Sequence, residues 1–215
     1  MKLTRKLLRK INDGDFLINK DFFYEAVVLI PLIEIDGEFH LIFQVRADNI
    51  RQGGEISFPG GSIDKMDKTH TDTAIRETCE ELGIDKKNIT IYGNLGAYLN
   101  PMGVLVHGIV GEIKNTTIEN FSVNKDEVKE IFTVPISFFL ENKPERYFLR
   151  TAVGPTNTDN LPTFPSVELG LDERYSKRRD GIIYPVFVYK YADKIIWGIT
   201  AYLTKYFIER IKKLK

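Results

Sequence analysis

Between Phe58 and Ile84 the chain reads FPGGSIDKMDKTHTDTAIRETCEELGI, the stretch with the densest chemical potential in the sequence. A glycine-rich turn leads into a helix-length segment carrying Arg76, Glu77, Glu80 and Glu81. Successive helical residues advance by about 100°, which gathers the glutamates into an arc of roughly 100°. Ile75, Thr78, Cys79 and Leu82 fall on the other side. The expectation is a helix with one face in a core and one face of clustered carboxylates. Like charges at i and i+4 weaken an isolated helix. A divalent cation between them reverses that cost, and oxygen donors suit a hard ion such as Mg²⁺ or Mn²⁺ rather than a soft-ligand zinc site. Gly83 stands where a left-handed residue ends a helix. Without its context the segment is a solvated acidic face; the Pro-Gly-Gly turn before it argues for a built site.

The run Arg76-Glu77-Thr78-Cys79-Glu80-Glu81-Leu82-Gly83-Ile84 resembles the second half of the Nudix box, G-x5-E-x7-R-E-U-x-E-E-x-G-U with U aliphatic, with Thr78 at an aliphatic position. The first half departs from that pattern. Five residues separate Gly61 from Asp67, which stands in place of Glu, and eight residues then precede Arg76. The departure is similar to the coenzyme A pyrophosphatase branch, FPGG-x-x-D-x-x-D-x5-T-A-x-R-E. Phe58-Pro59-Gly60-Gly61, Asp64, Asp67, Thr73-Ala74 and Arg76-Glu77 match it position for position. Arg46-Ala47 with Gly54-Glu55, Asn124 to Ile136, and Ile196-Trp197-Gly198-Ile199-Thr200-Ala201 extend the resemblance over roughly residues 24 to 210.

The elements that must position this stretch follow from pattern. Tyr24 to Ile35 and Phe39 to Val45 are apolar strands joined by Asp36-Gly37, a hairpin signal. Ile89 to Ala97 and Leu105 to Ile113 are two more, joined by Asn100-Pro101-Met102-Gly103. Lys2 to Ile11 has the pattern of an amphipathic helix. Residues 145–181 are the least regular part and are expected as a long irregular loop. Tyr184 to Tyr191 returns to strand, and a last helix is expected from Ile196 to Lys212, with Trp197 in the core. His40, His70 and His107 are isolated in sequence and receive no catalytic role. This order of elements is α/β. The resemblance implies the Nudix α/β/α sandwich, a mixed sheet between helices, over residues 21–215, with 1–20 as an N-terminal helix of the same domain.

The whole chain sets further bounds. Its 215 residues suffice for one domain with a substantial core. Lysine plus arginine, 30, equal aspartate plus glutamate, 30, which argues against nucleic-acid binding by bulk charge. The lone Cys79 excludes an internal disulfide and is read as a small buried residue on the core side of the helix. With no apolar run of membrane length and no signal peptide, a cytoplasmic location is expected. A homodimer is compatible with the sequence.

The resemblance implies hydrolysis of a pyrophosphate, here that of coenzyme A or its derivatives, with Mg²⁺ or Mn²⁺ as cofactor. Another nucleoside diphosphate derivative, such as ADP-ribose or a dinucleotide, is the alternative substrate, and a Nudix-like binding module the non-catalytic one. Implied metal ligands are Glu77, Glu81 and the Gly60 carbonyl, with Glu80 joining through water or a second ion. Arg76 orients a carboxylate, Asp67 or Glu77. The base is Glu127 or a helix glutamate; for Glu127 the bland reading is an exposed loop carboxylate. Gly61, Arg46, Arg51 and Arg178 of the Lys177-Arg178-Arg179 run are the expected substrate contacts, since arginine grips phosphate with paired hydrogen bonds.

Overall fold

The structure is a computed structural model and describes residues 20–156 and 163–214; the N-terminal helix expected at Lys2 to Ile11 lies outside the described residues. The main sheet is built from β1 (Tyr24–Ile35), β2 (Glu38–Arg46), β3 (Ile56–Ser57), β4 (Gly60–Ser62), β5 (Ile89–Asn100), β6 (Val104–Ile113) and β7 (Val128–Pro135). Its path is β3-β2-β1-β6-β5, with β4 on β1 and β7 on β2. β1 and β6 run parallel, with Val27 opposite His107, and the other pairs are antiparallel, so the sheet is mixed. Asp36 and Gly37 turn β1 into β2 with φ of 51° and 83°, the left-handed pair that a two-residue hairpin needs.

Strand alternation sends the two faces into different cores. On one face Val27, Leu29 and Ile109 pack against Ala74 of α1 (His70–Leu82), while Ile33, Ile42 and Ile113 meet Leu82. On the other face Ile30, Leu41, Phe43 and Val45 meet Phe139 of α2 (Ile136–Glu141) and Leu203, Phe207 and Ile208 of α3 (Gly198–Lys212). The expected α/β/α sandwich is thus the fold. Phe58 anchors the glycine turn in this second core, its ring stacked on Phe43 at 4.9 Å between centroids. Among the described residues no helix is long and apolar enough to cross a membrane.

Two expectations are corrected. The segment expected as a loop at 145–181 opens with β8 (Glu145–Val153), which pairs antiparallel with β9 (Arg179–Tyr191), and β9 in turn with β10 (Lys194–Trp197). β8 is exposed along nearly its whole length, so neither face carries the alternating apolar pattern that marks a strand. The last helix starts at Gly198, because Ile196 and Trp197 close β10. Alternation turns Ile196 inward, fully buried, and leaves Trp197 42% exposed. Ile196→Ala is therefore expected to cost about 2–5 kcal/mol, and Trp197→Ala less than half as much. Denaturant unfolding of both variants checks this, and the reverse order would put the indole back in the core.

Candidate active site

α1 is fixed at both ends. Thr69 caps its start, with the Thr69 hydroxyl accepting from the Asp72 N–H at 3.2 Å and Asp72 accepting from the Thr69 N–H at 3.0 Å. This reciprocal pair satisfies two of the orphan donors of the first turn. Gly83 ends the helix in the left-handed region, φ 64°, donating to the Cys79 carbonyl. A Cβ there would lie 1.9 Å from the Ser122 carbonyl oxygen, so only glycine fits. Thr78 solves its position by burial, its hydroxyl turned back to donate to the Ala74 carbonyl at 2.6 Å.

The wheel reading places the carboxylates together but misjudges which way they face. The buried stripe is Thr73, Ala74, Ile75, Thr78, Glu81 and Leu82. Glu81 lies on it and is 3% exposed, Glu77 stands at its edge, and Glu80 is 55% exposed. Cys79, expected on the core side, is half-buried at the helix edge, where burial raises its thiol pKa. The rotation of the helix on the sheet decides this, and the sequence wheel does not contain it.

Each carboxylate has a built environment. Glu81 Oε2 accepts the Gly60 N–H at 2.8 Å. Burial pushes its carboxyl up to about 7; the Gly60 N–H and the Gln44 amide oppose that, and the charges of Glu77 and Glu127 add to it. Gln44 is buried, yet among the described residues neither of its amide atoms completes a hydrogen bond. Glu77 lies against Gly61, where a Cβ would stand 2.6 Å from its carboxyl carbon, so a side chain there would displace it. Burial raises the Glu77 pKa, Arg76 opposes this, and Glu80 and Glu127 add to it.

Arg76 ties the group together. Its Nη2 donates to Asp67 at 2.9 Å and to the Ser62 carbonyl at 3.0 Å, and its Nη1 donates to Glu77 at 2.9 Å and Glu80 at 3.1 Å. The guanidinium beside Asp67 holds that carboxyl well below the usual range. Both expected partners of Arg76 are therefore engaged at once. Asp67, at the position that departs from the general box, reaches the arginine through a tight turn, its carboxylate also accepting the Asp64 N–H at 3.0 Å.

Glu127 is half-buried rather than exposed, in a turn held from two sides. Its carbonyl accepts from the Ala47 N–H at 2.9 Å, and the Asn124 N–H donates to the Glu81 carbonyl at 2.9 Å. Arg46 closes β2 and Arg51 lies in the loop that follows, with Arg46 Nε donating to the Arg51 carbonyl at 3.2 Å. Among the described residues neither guanidinium pairs with a carboxylate. Arg178 is exposed on the β8–β9 arm beside Gly154, and no described contact joins it to the α1 carboxylates. Its neighbours are engaged locally, Lys177 with Glu173 at 2.6 Å and Arg179 over the Tyr175 ring. Sequence reasoning missed Gln44, although a lone amide inside the buried run Leu41 to Val45 is a readable signal.

A hard divalent cation fits this donor set. Two clustered carboxylates with raised pKa beside an unpartnered buried amide are what such an ion would satisfy. The titration of Glu81 tests the burial. Between 4.5 and about 7 the folded, metal-free protein holds a proton that the unfolded chain has released, so Glu81 makes stability fall as pH rises through that window. Wild type should lose stability relative to Glu81→Gln across it, by up to about 3 kcal/mol, and excess Mg²⁺ should shrink the difference. Thermal unfolding of both proteins against pH checks this; parallel profiles would show that the carboxylate is not held out of water.

Comparison with known proteins agrees with this geometry. The NUDIX domain pattern matches residues 23–151. Peroxisomal coenzyme A diphosphatase NUDT7 of Mus musculus is 39% identical over 124 residues, covering 56% of this chain and 50% of that protein. Nudix hydrolase 3 of Caenorhabditis elegans is 31% identical, covering 80% of this chain and 67% of that protein. Mitochondrial coenzyme A diphosphatase NUDT8 of Homo sapiens is 27% identical, covering 86% of this chain and 68% of that protein. The chain thus spans half the length of the mouse protein and about two thirds of the other two. The matched region contains the glycine turn, α1 and the Glu127 turn, and on that match the chain belongs to the Nudix family.

Proposed function

We propose that the chain is a metal-dependent pyrophosphatase that cleaves coenzyme A or its derivatives to 3′,5′-ADP and 4′-phosphopantetheine or its acyl form. The observation that carries the reading is the meeting of Glu77 and Glu81 with the Gly60-Gly61 turn, locked by the Asp67–Arg76 pair. That lock uses Asp67, which departs from the general box as the coenzyme A branch does, and two similar proteins bear the name coenzyme A diphosphatase.

In this reading Glu77, Glu81 and the Gly60 carbonyl would hold Mg²⁺ or Mn²⁺, and Glu80 would join them through water or a second ion. When bound, a divalent ion neutralises pyrophosphate charge and makes a nearby water more acidic. Arg76 fixes the rotamers of Glu77 and Glu80, so the charges stay in place as the substrate arrives. Glu127 takes the proton of the attacking water, in competition with a helix glutamate for that role. Water adds across one P–O bond of the anhydride, and no protein nucleophile is consumed. Gly61 lets the substrate approach the backbone, and Arg46, Arg51 and Arg178 are the cations for its phosphates. The compartment to test is the cytoplasm; the mouse and human proteins are named peroxisomal and mitochondrial.

Glu77→Gln and Glu81→Gln should each lower kcat at least about a hundredfold with the fold intact by circular dichroism. Glu127→Gln should cost roughly 10²–10⁴ in rate with metal affinity little changed; an equal loss of metal binding would make it a ligand instead. Near wild-type turnover by either helix variant at saturating metal would falsify the ligand assignment.

The substrate is tested by its 3′-phosphate. Dephospho-coenzyme A should be poorer than coenzyme A by about 1–3 kcal/mol in kcat/KM, the worth of a charge-assisted hydrogen bond. Replacing the responsible arginine among Arg46, Arg51 and Arg178 by glutamine should erase that preference and spare turnover of dephospho-coenzyme A. Faster cleavage of ADP-ribose than of coenzyme A in a product-resolved panel would sink the substrate proposal and leave the family membership standing.

A further inference from the structure

We propose that Glu25, His70 and His107 form a second cation site, for a late first-row ion such as Zn²⁺, at the end of α1 away from Glu77 and Glu81. One ligand atom from each of the three residues lies within 4.8 Å of the others. His70 is the first residue of α1, and the helix rise separates it from Glu77 and Glu81 by about 10 and 16 Å.

The backbone builds the cluster from three elements. Glu25 and His107 sit on β1 and β6, which run parallel in the register Glu25 opposite Leu105 and Val27 opposite His107. Alternation places Glu25 and His107 on the face where Val27, Leu29 and Ile109 pack against Ala74. They stand where that apolar layer ends, and His70 closes over them from the start of α1. The Glu25 Oε1 lies 2.7 Å from His107 Nε2 and 3.7 Å from His70 Nε2. The two imidazoles stack at 3.8 Å between centroids.

As a purely hydrogen-bonded plug this arrangement is incomplete. One carboxylate oxygen faces two imidazoles and bonds only one of them closely. A cation would serve all three groups together. Tetrahedral ligands about 2.0–2.1 Å from zinc lie roughly 3.4 Å apart. To reach that spacing Glu25 Oε1 and His107 Nε2 would separate by under about 1 Å and Glu25 Oε1 and His70 Nε2 would close by a few tenths, while the two imidazole ligand atoms start within 4.8 Å of each other. Lys20 holds the other oxygen, Glu25 Oε2, at 3.0 Å, which leaves Oε1 as a single oriented ligand. Side-chain exposures of 17% for Glu25, 13% for His107 and 35% for His70 leave a route to solvent beside His70, where a water would supply the fourth ligand. Imidazole ligands select zinc and its neighbours over Mg²⁺, so the two sites would not compete for the same ion.

The test is a Co²⁺ titration of the whole chain in excess Mg²⁺, read by the visible absorption of four-coordinate cobalt. Wild type should bind one equivalent with that spectrum. His70→Ala and His107→Gln should each remove the spectrum and weaken Co²⁺ binding at least about tenfold. Glu77→Gln should leave both unchanged, and His70→Ala should retain Mg²⁺-dependent turnover. His70 is half-exposed at the helix start, so its variant keeps the test valid even where His107→Gln unfolds. Absence of the spectrum in wild type, its survival in His70→Ala, or its loss in Glu77→Gln would each overturn the site.

Discussion

The structure turns on a carboxylate held out of water. Glu81 projects from α1 into the junction with the main sheet, where a hydrophobic residue would pack without cost. Burying an ionised carboxylate is expensive unless other groups compensate it. One backbone N–H, from Gly60, does part of this, and the raised pKa shows that the compensation is incomplete. Glu77 is pushed the same way one turn earlier, and Glu127 brings a further negative charge toward both. Two carboxylates with raised proton affinity and the Glu127 charge beside them form a locus with negative potential and too few protein cations. Such a locus is made for an ion that arrives from solution.

Arg76 marks the limit of what the protein itself supplies. A guanidinium offers five donors in a fixed plane, and here they reach Asp67, Glu77, Glu80 and the Ser62 carbonyl. The arginine neutralises the outer side of the cluster and holds the glycine turn to the helix. It makes no hydrogen bond to Glu81 among the described residues. The inner carboxylate therefore keeps its deficit, and the outer ones keep their geometry. This division follows from the departure in sequence: an aspartate three residues after Asp64 can fold its own turn and still accept the guanidinium.

Much of this was legible in the chain. The β1–β2 hairpin, the β5–β6 pair, α1 and its Gly83 stop all appear where local pattern puts them, because each carries its own period and punctuation. What was not legible depends on contacts between distant elements. The rotation of α1 on the sheet turned Glu81 inward and Cys79 toward the helix edge, and a helical wheel has no fixed zero. β8 and the first residues of β9 escaped notice because exposure on both faces erases the period of two. Trp197 was assigned to the core by size, whereas strand alternation gave that place to Ile196. Gln44 could have been found, since an amide in the middle of a buried strand needs a reason.

Glu25, His70 and His107 were beyond reach for a related cause. They are scattered in sequence over a strand, a helix start and a second strand, and only the parallel pairing of β1 with β6 joins them. The same pairing shows why polar groups gather where they do. α1 meets the sheet through Ala74 and Leu82, and those contacts need dry, close-packed neighbours. Polar side chains interrupt that layer at two places. Glu81 lies within it against the glycine turn, with Glu77 at its edge, and His70 closes over Glu25 and His107 where it ends. About two to three helical turns of α1 separate the two clusters, and Ala74, packed on Val27, Leu29 and Ile109, stands between them.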